Sequence, residues 1–184
     1  MLRRVSASIS CSLALLLFFS AAPHLAAQSR RADTLTPGEV QQLRDNAVHP
    51  ATRIKLYIGF IDRRLQALQH LVSDTGAAHR DMQIHNRLDE ITHLSDELQD
   101  NIDTYDSQHA DIRKPLKKLI SASAKWPGII SSIPQNSNYE FAQKLALESV
   151  RSANKEARRL STEQDAFFKI HKKLRKTNGY GPQG

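Results

Sequence analysis

One cysteine, Cys11, occurs in the 184 residues, and it lies in the N-terminal stretch that reads as an export signal. The rest of the chain therefore has no disulfide, no thiolate nucleophile, no Cys-based zinc site and no C-x-x-C-H haem attachment. Glycine is scarce within the long segments, and none of them alternates apolar and polar residues between hairpin turns, so strands are not expected. After the first 27 residues no apolar run approaches the roughly 20 residues that a membrane-spanning helix needs. A P-loop, a G-x-G-x-x-G fingerprint, a G-x-S-x-G elbow and an N-x-[ST] acceptor are also missing. These absences point away from nucleotide chemistry and serine hydrolysis, and no catalytic residue is assigned.

What is present begins with that signal. Arg3 and Arg4, the apolar stretch Ile9 to Phe19 and the closing Leu25-Ala26-Ala27 mark residues 1–27 as a secretory signal peptide. Cys11 precedes most of the apolar stretch, so it is not placed for lipid attachment and leaves with the signal. The expected location is periplasmic or secreted, with no membrane anchor once the signal is removed. Residues 28–35 are polar and aperiodic and read as a disordered leader. Residues 36–176 read as a single helical domain, and 177–184, with three Gly and one Pro, as a flexible tail. A chain of this length can bury a core without staples.

Apolar periodicity sets the fold class. Thr36-Pro37-Gly38-Glu39 is a capping-box start for a short helix to about Asn46, and His49-Pro50 restarts the chain. Ile54, Ile58, Ile61, Leu65, Leu68 and Val72 then recur at alternating steps of four and three, one stripe on one helix. Ser73 to Ala77 is a turn. Ile84, Leu88, Ile91, Ser95, Leu98, Ile102 and Tyr105 repeat the spacing, with Leu94 widening the stripe. The register continues through His109, Ile112, Leu116 and Leu119, but Pro115 predicts a kink or a break between Asp106 and Pro115. Trp126-Pro127-Gly128 is expected to end this arm and Pro134 to Asn138 to form a loop. Asn136 or Ser137 would cap a last helix reaching about Lys176, with Ala153, Ala157, Leu160, Gln164, Phe167, His171 and Leu174 as its stripe. The expected architecture is all-α: an elongated antiparallel bundle of three to four long helices with coiled-coil-like seams.

Charge is segregated along the chain. Without Arg3 and Arg4 there are 24 Lys and Arg against 19 Asp and Glu. From Asp81 to Asp111 nine acids accompany one base, Arg87; from Lys144 to Lys176 ten bases accompany four acids. An acidic helix beside a basic one is complementary, so charge would select neighbours while buried Leu, Ile and Phe supply stability.

Few constellations carry chemistry. Glu90-Ile91-Thr92-His93 has the Glu-x-x-His spacing of di-iron bundles, but Ile91 and Leu94 take the inward positions, and the helix from Pro50 onward contributes no Glu. No metal site and no cofactor is expected. His109 and His171 fall on stripe positions, where they would be partly buried fillers able to make packing pH-sensitive. The sharpest local feature is the basic end, Lys169, Lys172, Lys173, Arg175 and Lys176. It suits a phosphate-bearing polymer, the anionic lipid headgroups of an envelope surface or an acidic protein segment, with Phe167, Phe168, Ile170 and Leu174 as an apolar side. The plainer role of these cations is to complement a helix C-terminus. Export makes nucleic acid a poor partner.

Leu35-Thr36-Pro37 with Glu39 and Gln41, and Leu160-Ser161-Thr162-Glu163-Gln164, resemble the L-T-x-x-Q signature of small periplasmic chaperones of the Spy and CpxP type. Glu39 stands where the signature has Gln, and the second copy lies inside a predicted helix. The resemblance implies an exported, disulfide-free helical protein that shields unfolded clients. The leading expectation is a non-catalytic binding or structural module of a bacterial cell envelope; the alternative is an ATP-independent holdase.

Overall fold

The computed structural model describes residues 34–172, and among these there are six helices and no strand. They are α1 (Pro37–Asp45), α2 (Pro50–Ser73), α3 (Arg80–Ser107), α4 (Arg113–Ser123), α5 (Trp126–Ser131) and α6 (Glu140–Ile170). Residues 1–33, which hold the expected signal and most of the expected leader, and residues 173–184, the end of the expected domain and its tail, lie outside the described residues. Thr34, at the end of the expected leader, is buried, and its carbonyl oxygen accepts a hydrogen bond from Arg64 at 2.9 Å.

Helix starts follow the local chemistry. Thr36 Oγ1 accepts from the Glu39 amide at 3.2 Å, and the Glu39 carboxylate accepts from the Thr36 amide at 2.9 Å, so both halves of the capping box form. Pro50 opens α2, where a missing N–H costs nothing. Arg80, the first residue of α3, reaches back to the Leu71 and Val72 carbonyls and neutralises the end of α2.

The end of α3 differs from a kinked continuation. His109 adopts a left-handed conformation (φ 55°). Its amide donates to the Asp106 carbonyl at 2.8 Å, and the Ala110 amide donates to the Tyr105 carbonyl at 2.9 Å. This is a Schellman ending with histidine where glycine is usual. The chain reverses, and Pro115 sits in the first turn of the new helix α4, where its lost donor was unpaired anyway. Trp126-Pro127-Gly128 likewise opens α5 instead of ending the arm.

Pairing directions follow from hydrogen bonds. Tyr57 with Glu97 (3.2 Å) and Arg64 with Glu90 (2.8 Å) make α2 and α3 antiparallel. Asn154 with Ser123 and Gln164 with Ile112 do the same for α4 and α6. The expected antiparallel order fails for the other two neighbouring pairs. Asn138 on Asp81, Ser149 on Asp96, Ser152 on Gln99 and Gln164 on Asp106 show α3 and α6 running the same way. Helix α4 lies beside α2 and runs parallel to it, because α2 opposes α3, α3 runs with α6 and α6 opposes α4; just past α4 the Trp126 indole donates to Asp62 of α2 at 2.8 Å. The reason is topological: each connection reverses the chain, so alternate helices share a direction, and here alternate helices are neighbours. Helix α2 lies beside α3 and α4, and α6 lies beside the same two.

The core occupies the space between these four. Every residue of the expected α3 stripe is buried. On α2, Ile54, Ile61, Leu65 and Leu68 are buried, but Ile58 and Val72 only partly; Tyr57, Phe60 and Arg64 complete a wider face, because α2 also receives α1 and α4. Helix α6 ends at Ile170, six residues short of expectation, and is about 46 Å long at 1.5 Å per residue. No helix among the described residues is long and apolar enough to cross a membrane.

Two buried polar side chains make opposite predictions. Gln164, 2 % exposed, accepts from the Ile112 amide (3.1 Å) and donates to the Ala110 carbonyl (2.9 Å) and Asp106 (3.0 Å). Gln164→Leu should cost about 2 kcal/mol by leaving that backbone unpaired. Ser95 is fully buried, and its hydroxyl has no partner among the described residues. Ser95→Ala should leave stability unchanged or raise it by up to about 1 kcal/mol. Urea titrations followed through the single tryptophan, Trp126, measure both.

Candidate functional site

The C-terminus of α3, the N-terminus of α4 and the C-terminus of α6 meet at one end of the molecule, which carries the expected basic site. Lys169 and Lys172 are exposed there; Lys173, Arg175 and Lys176 lie outside the described residues. Lys172 already follows the helix, and its neighbour Ile170 is 78 % exposed. Phe168 is fully buried, with the Arg113 guanidinium 4.8 Å from its ring centre. Arg113 is held in turn by Asp111 (2.6 Å) and, more loosely, by Asp165 (3.5 Å).

His109 and His171 do not fill the core as expected; both are exposed. The buried stripe of α6 steps from Gln164 to Phe168, a step of four where three was expected, which turns Phe167 and His171 outward. The two imidazoles instead lie against the half-buried Phe167 ring, at 4.6 and 4.4 Å between centres. Beside them is a cleft of about 220 Å³ lined by Asp106, His109, Glu163, Gln164, Phe167 and Phe168. Gln164 in its wall is committed to the α3–α4 turn.

The second polar centre is structural. Both oxygens of Glu39 are occupied: Arg64 donates twice at 2.6 Å, Arg63 at 2.9 Å and the Thr36 amide at 2.9 Å. Burial alone would raise this carboxyl, but the hydrogen bonds from Arg64, Thr36 and Arg63 outweigh it and hold the group at about 2. Arg64 also donates to Glu90 at 2.8 Å, and Arg87 takes the same Glu90 oxygen at 2.5 Å. Glu90 therefore faces guanidinium groups while His93 is exposed, and the Glu-x-x-His pair does not converge. Among the described residues no three His, Cys, Asp or Glu side chains gather as a metal set. Both chaperone-like motifs end inward, Glu39 on Arg64 and Gln164 on the α3–α4 turn.

The acidic α3 and the basic α6 are neighbours, as expected, but they do not meet charge against opposite charge. Helix α6 meets α3 through Ser149, Ser152 and Gln164, and through Glu156, which abuts Asp103. Burial and the nearby Glu156 raise the Asp103 carboxyl, whereas Arg159 lowers that of Glu156. The bases Lys144, Arg151, Lys155 and Arg158 point to solvent. Apolar burial decides which side of α6 faces inward, and these bases fall on the other side.

One basic feature was missed by motif reading. No acid occurs between Asp111 and Glu140, while Arg113, Lys114, Lys117, Lys118 and Lys125 do. An acid-free run of that length was the available signal; it was hidden between two more conspicuous charge blocks. No protein-family model, curated protein or solved structure matches this chain.

The Glu39–Arg64 pair predicts a pH dependence. The folded value of Glu39 lies below the ordinary carboxylate range, so its stabilisation is complete above that range and is lost as pH falls from about 5 towards 2. Glu39→Gln should cost about 3 kcal/mol at neutral pH and flatten the acid limb of the stability profile. Urea midpoints measured from pH 7 to pH 2.5 test both.

Proposed function

We propose that this chain is an exported, non-catalytic helical-bundle protein that binds an anionic surface or a protein partner in a bacterial cell envelope. In this reading the long helices form an elongated bundle with coiled-coil-like seams, and the end of α6 is the contact. The observation that supports it most is the pairing of exposed charge with exposed apolar surface there. Lys169 and Lys172 have no ionic or hydrogen-bonded partner among the described residues, and Ile170 lies between them. An apolar side chain flanked by unpaired cations suits the headgroup region of an anionic bilayer. We assign no catalysis to it; Arg113 and Gln164, the buried or half-buried polar groups beside it, are held by Asp111 and by the α3–α4 turn.

The holdase alternative would rest on a broad continuous apolar face. The large apolar side chains exposed among the described residues divide between the two ends: Val48 and Ile170 at one, Met82, Phe141 and Leu145 at the other. That distribution favours the surface-binding reading.

Replacing Lys169, Lys172, Lys173, Arg175 and Lys176 by Gln should lower binding of the processed chain to phosphatidylglycerol vesicles by tenfold or more at low ionic strength, at about 1 kcal/mol per cation near the surface. The effect should fade at about 0.5 M salt. Co-sedimentation with vesicles measures it, and equal binding by the two proteins sinks the proposal.

A further inference from the structure

The solvent side of α4 is almost wholly lysine. Lys114, Lys117 and Lys118 are exposed with Ser121, Lys125 follows exposed in the turn before α5, and Leu116, Leu119 and Ser123 are buried on the other side. None of the four lysine ammonium groups makes an ion pair or a hydrogen bond among the described residues. The helical part of the row, Lys114 to Ser121, is about 10 Å long at 1.5 Å per residue, and Lys125 follows it.

A second basic row runs beside it on α6. Asn154 donates to the Ile120 carbonyl (3.1 Å) and to Ser123 (2.7 Å), which ties the two helices together. Arg158 donates to the Asn154 side chain at 2.8 Å and is thereby placed on the rim next to α4. Lys155 and Arg151 stand one and two turns back on the same helix, both exposed. The nearby acids lie towards the ends of this row: Glu148, and Asp165, which faces Arg113. Glu156 belongs to the α3 side of α6, where it meets Arg159 and Asp103.

We infer that the groove between α4 and α6 holds a linear phosphate polymer, bound by Lys114, Lys117, Lys118 and Lys125 on one wall and Arg151, Lys155 and Arg158 on the other. Two cationic rows with a hydrogen-bonded floor match an extended anionic chain lying between them, whereas a flat bilayer would touch only the crests. No large apolar side chain is exposed on this face to enter a membrane or to anchor a second copy. Neither is an aromatic side chain exposed along these two rows to stack on bases: Trp126 is buried, and the exposed Phe141 lies at the start of α6, beyond Arg151. Recognition is thus by phosphate charge alone, with the steep salt dependence of counterion release. This site is separate from the end of α6, and it stands or falls independently of the function proposed above.

The test uses the processed full chain and long-chain inorganic polyphosphate, with binding followed by fluorescence anisotropy at several salt concentrations. Lys117→Gln/Lys118→Gln/Arg158→Gln should weaken binding by tenfold or more at low salt and reduce the slope of log K against log salt by about 2, following roughly 0.7 per phosphate contact. The variant in which the five bases of residues 169–176 are Gln should bind polyphosphate within threefold of the parent. Circular dichroism establishes that both variants fold. The inference is overturned if the triple variant binds polyphosphate as the parent does, or if a single-stranded oligonucleotide of equal charge binds more tightly than polyphosphate. Loss of vesicle binding or of self-association in the triple variant, with polyphosphate binding intact, would assign the groove to a membrane or to a second copy instead.

Discussion

The reversal of the chain at residues 108–112 is the constraint on which the positions of the remaining helices depend. Had α3 continued into α4, the apolar stripe from Ile84 to Leu119 would have formed one long arm with nothing beside its second half. The Schellman bonds at His109 and Ala110 stop α3, and the amide of Gln164, fifty-two residues further on, satisfies the Ile112 N–H and the Ala110 carbonyl that the turn exposes. Turn and α6 are thereby fastened together. The fold accepts a left-handed non-glycine residue at His109, with its cost of about 1 kcal/mol, and the imidazole is left against Phe167.

The same logic runs through the other buried polar groups. Arg64 is 7 % exposed and meets Glu39, Glu90 and the Thr34 carbonyl, so α1 is fixed to the α2–α3 pair by charge as well as by Leu43. Such a pair contributes little over a well-packed apolar substitute, yet leaving one member alone is costly. Residues that look functional in a sequence, a Thr-x-x-Glu start or a Leu-x-x-x-Gln repeat, are here the groups that keep buried backbone and charge satisfied.

Surface charge follows from what the core leaves over. Once Ala146, Val150, Ala153 and Ala157 turn one side of α6 inward, its Lys and Arg residues can only face away. Helix α4 buries Leu116 and Leu119, and its lysines line up outward for the same reason. The acidic helix α3 adjoins α2 and α6, and the lysine side of α4 lies across the core from it. The molecule is thus acidic on one flank and basic on the opposite one, an asymmetry that total charge conceals.

Periodicity determined the helices by itself: the stripe on α3 is buried residue for residue, and the capping box at Thr36 and Glu39 marks where α1 begins. Both are local, depending on residues three or four apart, which is the range over which a helix couples its own side chains. Tertiary structure alone decided what lies between distant residues. It reversed the chain at a histidine, because Gln164 is placed to satisfy the turn. It put like-directed helices side by side, and it paired Arg64 with Glu39. It also rotated Phe167 and His171 out of the core at the last turn of α6. Local sequence sets which side of each helix is apolar; which neighbour covers that side is settled only when all the helices compete for the same space.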